Sequence, residues 1–439
     1  MANYHPLRDI PAPHGFKQGD VFVLFGELFS RGYANGLIDQ AKAAGMTIVG
    51  ITVGRREKDG ELRPLTQEEL TAAEENLGGK IINVPLWAGY DMDRASDGSS
   101  PSEQLSGVKP GNWQDFKLDW GKVEESKKAG LDRFAKACRA SLSQIEELVP
   151  EGANLFFAHT MAGGIPKAKI SLVLTNRVVK GKGDKFLSSS EFWGSEIGKL
   201  ANDNFYYVTA ETLRELIQAS EPLRTKVEGW GGKVCYTAYG YHGTEILIQN
   251  KPQWQTYNPY LQGQAKVRLE DIAEEYWAKG IKVTAYNCPE IRTNSSDLFS
   301  GVELSLYPLV TALKNAGAGP WYEQIAADLQ AKLKEGESLE AMLAAVDAYH
   351  SNPIAQDFYK DFPHWPRHNN QEIAELMLAA SEAMMAMNEN RKNVVTDLLS
   401  EVVVQSSGVL MFNQSFAPTA PVYWIGHDVI AKERLASQD

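Results

Sequence analysis

A lysine and three tyrosines stand in one stretch of the chain: Tyr241, Tyr257 and Tyr260 precede Lys266. These residue types can do chemistry on an oxygen. An ammonium beside a phenol lowers the phenol's pKa and makes it a better proton donor to an oxygen on which charge develops. A lysine facing inward at the carboxyl edge of a parallel sheet also needs acceptors, which a ribose diol supplies. Taken alone, a lysine is more often a solvated surface residue. A second cluster follows the apolar run Val21–Phe25, where Gly26, Gly32 and Gly36 punctuate a loop and helix start. Glycines there let the backbone approach a pyrophosphate, which the positive end of the following helix faces. The same spacing serves a bare strand-to-helix turn, but its place after the first strand of a parallel sheet favours a dinucleotide. At the end of the second strand, where a dinucleotide enzyme usually places an acid, stand Gly54, Arg55 and Arg56. The arginines suit a 2′-phosphate, or they simply pair with Glu57 and Asp59, so NADH and NADPH both remain open.

The elements that must position these groups alternate. Val21–Phe25, Met46–Val53, Lys80–Leu86, Leu155–His159, Gly232–Gly240 and Ile281–Pro289 read as buried strands, because short apolar runs bounded by glycine or proline suit a sheet covered on both faces. Helical spacing fills the gaps: Leu37 to Gly45, Val123 to Val149, the stretch around Thr209 to Ile217, and Ala265 to Lys279. Asn258 and Pro259 read as an N-cap followed by proline at the first helical position, which would carry Lys266 about two turns in. This alternation predicts an α/β fold with a doubly wound, Rossmann-like parallel sheet, its ligands outside the carboxyl ends of the strands. Residues 88–121 read as an inserted loop. Residues 297–392 read as a large helical insertion on the substrate side, before a last strand at Gly408–Phe416. The whole chain is expected to form a single reductase-like domain.

Composition narrows the function. The chain has 439 residues with 44 Lys plus Arg against 56 Asp plus Glu, a formal charge of -12 that argues against nucleic acid as a partner. Three widely spaced cysteines form no disulfide framework, and no run of apolar residues is long enough to cross a membrane. A cytoplasmic protein is expected. Neither HExxH, GxSxG nor a P-loop occurs, so no catalytic metal is expected.

A resemblance covers most of Val21 to Thr293. Gly26, Gly32, Ala34 and Gly36 resemble the GxxxxxSxAxG loop of the divergent short-chain dehydrogenase/reductases that serve as enoyl-acyl-carrier-protein reductases, with glycine at the usual serine position. Leu155–Gly164 is similar to that family's fourth strand and turn. Tyr241–Glu245 resembles its YLGAE, Gly263–Lys266 its GLAK, and Gly280–Thr293 its GIRVNAISAGPIRT. Ordinary members of the superfamily place tyrosine four residues before the lysine, where this chain has Gln262. The long-spaced enoyl reductases leave eight residues between, as Tyr257 and Lys266 do. Tyr260 would lie about 240° around a helix from Lys266 and point away from it. In length and in the helical block, the chain most resembles the triclosan-resistant type first recognised in soil metagenomes.

The resemblance implies reduction of the 2,3 double bond of a trans-2-enoyl thioester with NADH or NADPH, in fatty acid biosynthesis, the acyl group being carried on acyl carrier protein or coenzyme A. Tyr257, Lys266 and Tyr241 are the implied catalytic residues. Gly26, Gly32, Tyr33, Ala34, Gly36, Arg55, Arg56, His159, Thr160, Met161, Lys266, Pro289, Ile291 and Thr293 are the implied cofactor contacts, and a homo-oligomer is expected. A ketone or 3-oxoacyl reductase on the same scaffold, or a non-catalytic dinucleotide-binding sensor, are the competing readings. An acidic carrier would need a local basic patch, for which Lys167, Lys169, Arg177, Lys180 and Lys182 stand together.

Overall fold

The apolar runs do form parallel strands. The computed structural model describes residues 5–437 except 14, 58–59, 256–260, 262, 295, 297–299, 318, 361, 363–367 and 395–396. Its main sheet has eight strands: β1 Pro6–Leu7, β2 Val21–Phe25, β3 Thr47–Ile51, β4 Lys80–Ile82, β5 Leu155–His159, β6 Val234–Tyr239, β7 Val283–Asn287 and β8 Val422–Ile425. Their order is β4-β3-β2-β5-β6-β7-β8-β1, and every neighbouring pair is parallel. The direction of winding reverses between β2 and β5, which creates a crevice at their carboxyl ends.

Alternate side chains of each strand enter two separate cores, as strand periodicity requires. Val21, Val23, Phe25, Phe157 and Ala285 pack against helices Trp120–Glu146, Lys169–Lys180 and Gly263–Trp277. Phe22, Leu24, Phe156 and Tyr286 face the other way, against helices Tyr33–Ala43, Pro308–Ala316, Asp397–Phe416 and His427–Ala436. With both faces covered, the strands can be apolar throughout. Buried Asp20 ties the lower ends of β2 and β5 together, accepting from the backbone and side-chain amides of Asn154 at 2.8 Å each.

Three expectations need correction. Gly408–Phe416 is not the last strand: it lies inside helix Asp397–Phe416, and the last strand is β8. Its exposed polar positions, Asp397, Glu401 and Gln405, lie in the first half of the helix, and Gly408–Phe412 is a continuous apolar run that periodicity cannot distinguish from a buried strand. The helical block between β7 and β8 therefore extends past residue 392 to Phe416. Residues 88–121 contain a short helix, Pro101–Gln104, closed by a capping box from Ser100 and Glu103, and Tyr90 there is fully buried. Between β6 and helix Gly263–Trp277 lies an antiparallel hairpin, Thr244–Ile248 with Lys251–Gln255, turned by Gln249 and Asn250 at positive φ. Asn258, Pro259, Tyr257, Tyr260 and Gln262 lie outside the described residues. The described helix begins at Gly263, so Lys266 sits in its first turn rather than two turns in. Among the described residues no helix is long and apolar enough to cross a membrane.

Candidate active site

At the carboxyl ends of β2, β5, β6 and β7 the loops enclose a cavity of about 330 Å³. Each wall has a physical reason to be there. After β2, Gly26 has φ +132, and a Cβ on it would lie 2.5 Å from Thr160 Oγ1, so only glycine lets these two strand ends approach. The chain then enters helix Tyr33–Ala43 at Gly32, whose extended backbone carries no side-chain cap. No side-chain cap takes up the first-turn N–H groups, and that of Asn35 donates to Gly32 O at 3.2 Å. Asn35 steadies the turn, its amide donating to the carbonyls of Gly32 and Phe29 at 3.0 and 3.1 Å. Tyr33 reaches across the crevice: its ring stacks on Tyr239 and its hydroxyl donates to Pro289 O at 2.5 Å.

Opposite this loop stand the ionisable groups. Lys266 is 9% exposed and donates to Tyr239 O at 3.0 Å, and burial pulls its pKa down to about 8. Tyr241 and Glu290 line the same cavity, and the phenol hydroxyl of the first donates to Glu290 Oε1. Burial raises the Glu290 carboxyl to about 8, against the lowering effect of that hydrogen bond, with nearby Glu303 adding to the rise. The Tyr241 turn is locked from behind. A Cβ on Gly240 would meet Asn287 Oδ1 at 2.3 Å, and that oxygen accepts from His242 N at 2.8 Å. The amide of Asn287 donates to Glu270 at 2.8 Å, and Glu270 also meets His242 Nδ1 at 3.1 Å.

The structure brings together Gly32, Tyr33, Ala34, Thr160, Tyr241, Lys266, Ile291 and Thr293 around this cavity. Pro289 contributes its carbonyl to Tyr33. Met161 lines a neighbouring cavity of about 270 Å³ with Val53, Trp87 and Val208, which shares Ala162 and Gly163 with the first. Two expected contacts, Gly36 and His159, turn away from the cavity, and the two arginines are held by carboxylates. Gly36 packs against another helix, where a Cβ would lie 2.0 Å from Val404 O. His159 turns into the core, within 2.9 Å of Thr212 Oγ1 and stacked on Phe25, and burial drops its pKa to about 3. Arg56 is buried against Asp93 at 3.0 Å, and Arg55 is held by Glu27 at 2.5 Å. Glu57 is held instead by Arg63 at 2.6 Å, and Asp59 lies outside the described residues. Tyr257 and Tyr260 lie outside the described residues.

Sequence reasoning missed Glu27, Tyr239 and Glu290. Glu290 had a signal: it stands where the resembled GPIRT motif has proline, and an acid in that turn has no role in chain geometry.

Comparisons with known proteins give the family. The family described as enoyl-acyl carrier protein reductase FabMG matches residues 3–434. A solved apo structure of FabMG, a novel type of enoyl-acyl carrier protein reductase, is 51% identical, with a TM-score of 0.96 over 100% of this chain and 99% of that one. An NADH-bound structure of FabMG is 44% identical, with a TM-score of 0.78 over 100% of both chains. None of the curated proteins compared matches the chain. A parallel sheet with a glycine-lined crevice, a buried lysine at its edge and full-length similarity at these identities lead to one statement: the chain belongs to the FabMG family of enoyl-acyl carrier protein reductases.

Proposed function

We propose that this reductase uses NADH to reduce the 2,3 double bond of a trans-2-enoyl thioester delivered on an acyl carrier protein. The observation that carries the reading is Lys266, buried in one cavity with Tyr241 and the uncapped start of helix Tyr33–Ala43. The residues fit a dinucleotide. Val53, Trp87, Met161 and Val208 would receive the adenine, the N–H groups after Gly32 the pyrophosphate, and Lys266 the ribose beside the nicotinamide. Two features favour NADH over NADPH. A similar FabMG structure holds NADH, and here Arg55 is paired with Glu27 while Arg56 shares Asp93 with Arg133.

When bound, the reduced nicotinamide supplies a hydride for the β-carbon of the substrate. The chain's part is to stabilise the thioester oxygen as it takes on enolate charge. Tyr257, on the long spacing to Lys266, hydrogen-bonds that oxygen, and Tyr241, which lines the cavity, donates to it as well. Each such contact is worth about 3 kcal/mol in comparable oxyanion sites. The Lys266 ammonium favours the developing anion electrostatically. The carrier docks by the exposed end of helix Lys169–Lys180, where Lys169 flanks Leu172, which is 56% exposed. Of the other basic residues there, Lys182 is held by Glu382 at 2.6 Å, Arg177 donates to Lys185 O at 3.1 Å and Lys167 lies over the Trp87 ring.

Steady-state oxidation of NADH with crotonyl-CoA or an enoyl carrier protein tests the reading. Tyr257→Phe and Lys266→Ala should each lose about 10²-fold in kcat/KM. Near-wild-type rates in both would overturn it.

A further inference from the structure

Glu290 has no part in the mechanism above, yet its position is costly. A carboxyl only 8% exposed, lining the reaction cavity, is tolerated when it is paired or neutral. Among the described residues no lysine or arginine forms an ion pair with it. The titratable groups that face it are Tyr241, whose hydroxyl donates to Oε1, and the second buried carboxyl, Glu303 of helix Val302–Leu306, which Ser381 holds. Lys266 and Tyr33 share its cavity, the first bonded to Tyr239 O and the second to Pro289 O. Burial and the neighbouring carboxylate keep Glu290 mostly protonated at neutral pH, with a pKa of about 8. The chain thus places a neutral acid one hydrogen bond behind a phenol that faces the substrate, and braces that phenol's turn through Asn287, His242 and Glu270.

We infer that Glu290 is a positioning residue which holds the Tyr241 phenol in the cavity and returns to it the proton that the phenol gives to the substrate. The inference rests on the enoyl-reductase reading. The Tyr241 O–H bond breaks as its proton joins the enolate oxygen, leaving a phenolate and an enol. The Glu290 O–H bond then breaks, restoring the phenol and leaving a carboxylate, which water entering the cavity reprotonates. The enol becomes the saturated thioester by losing its O–H proton to water and gaining one at the α-carbon. No oxidant or reductant beyond the hydride donor is involved.

The test compares wild type, Glu290→Gln, Glu290→Asp and Tyr241→Phe. Glutamine can still accept from Tyr241 but has no proton to return. Glu290→Gln should keep its affinity for NADH while kcat at neutral pH falls by roughly 10²-fold. Glu290→Asp should recover part of that loss, and adding Glu290→Gln to Tyr241→Phe should cost little more. Lys266 titrates in the same range, so the informative quantity is the ratio of wild-type to Glu290→Gln kcat. That ratio should shrink as pH rises through about 8, where wild-type Glu290 loses its own proton. Infrared spectroscopy of the enzyme without substrate should show a buried protonated carboxyl at neutral pH that Glu290→Gln removes. A ratio independent of pH, a wild-type kcat in Glu290→Gln, or no such band overturns the inference. If wild type does not turn over an enoyl thioester at all, the functional reading fails instead, and the infrared band still reports on Glu290.

Discussion

Gly36 and Gly408 touch backbone to backbone: a Cβ on Gly408 would lie 2.4 Å from the carbonyl carbon of Gly36. The contact joins helix Tyr33–Ala43, which starts at the candidate pyrophosphate site, to helix Asp397–Phe416 beneath it. The last glycine of the loop motif is therefore a packing residue, and its effect on the cofactor is indirect, through the seating of the helix.

Gly36→Ala or Gly408→Ala should cost roughly 1–3 kcal/mol through overpacking, because the obstructing atoms are backbone and cannot rotate aside. Gly32→Ala is the control, since Gly32 has extended backbone and open space around its Cβ position. Urea denaturation should show the loss in the first two and near-wild-type stability in the third. Equal stability in all three would show that the helices part freely at this point.

What could be read in advance follows from what burial does to a pattern. Six of the eight sheet strands announce themselves, because a central parallel strand is apolar on both faces and bounded by turn residues. β1 is two residues long and carries no pattern at all. Helix Asp397–Phe416 defeats periodicity for another reason: its polar stripe of Asp397, Glu401 and Gln405 stops short of Gly408–Phe412, an apolar run that reads like a strand. The hairpin after β6 turns on Gln249 and Asn250 without the glycine that usually marks such turns. In the site, Lys266 and Tyr241 were legible through motif order. The partners of Arg55 and Arg56 were not, because Glu27 and Asp93 are distant in sequence and only the fold brings them near.

The Glu27–Arg55 pair gives a prediction about cofactor choice. Glu27 Oε1 accepts from Arg55 at 2.5 Å and from Thr52 at 3.0 Å, and Glu27 lines the cavity wall. With its charge matched, Arg55 offers little to a 2′-phosphate, and the carboxylate repels one. Glu27→Gln should release the guanidinium and raise kcat/KM for NADPH relative to NADH by about tenfold, a gain of about 1.4 kcal/mol for the phosphate. Parallel kinetics with both cofactors decide the matter. An unchanged ratio would place the 2′ position away from this pair.

Glu290 also makes stability depend on pH in a direction that can be worked out. Its pKa rises from 4.5 to about 8 on folding, so between these values the folded state keeps a proton that the unfolded chain has lost. Stability from this group is full below about pH 4.5 and declines by up to about 1.4 kcal/mol per pH unit until the folded pKa is reached. Lys266 acts above that range with the opposite sign. Its folded pKa is lowered from 10.5 to about 8, so the unfolded chain binds more protons there and stability rises with pH. Glu290→Gln removes the first effect and leaves the second. Relative to wild type, it should therefore gain a few kcal/mol between about pH 5 and about pH 8, read as a shift in urea midpoint at the two pH values. A stability difference that stays constant between them would mean that Glu290 is ionised in the folded protein, with its charge compensated by groups other than Tyr241.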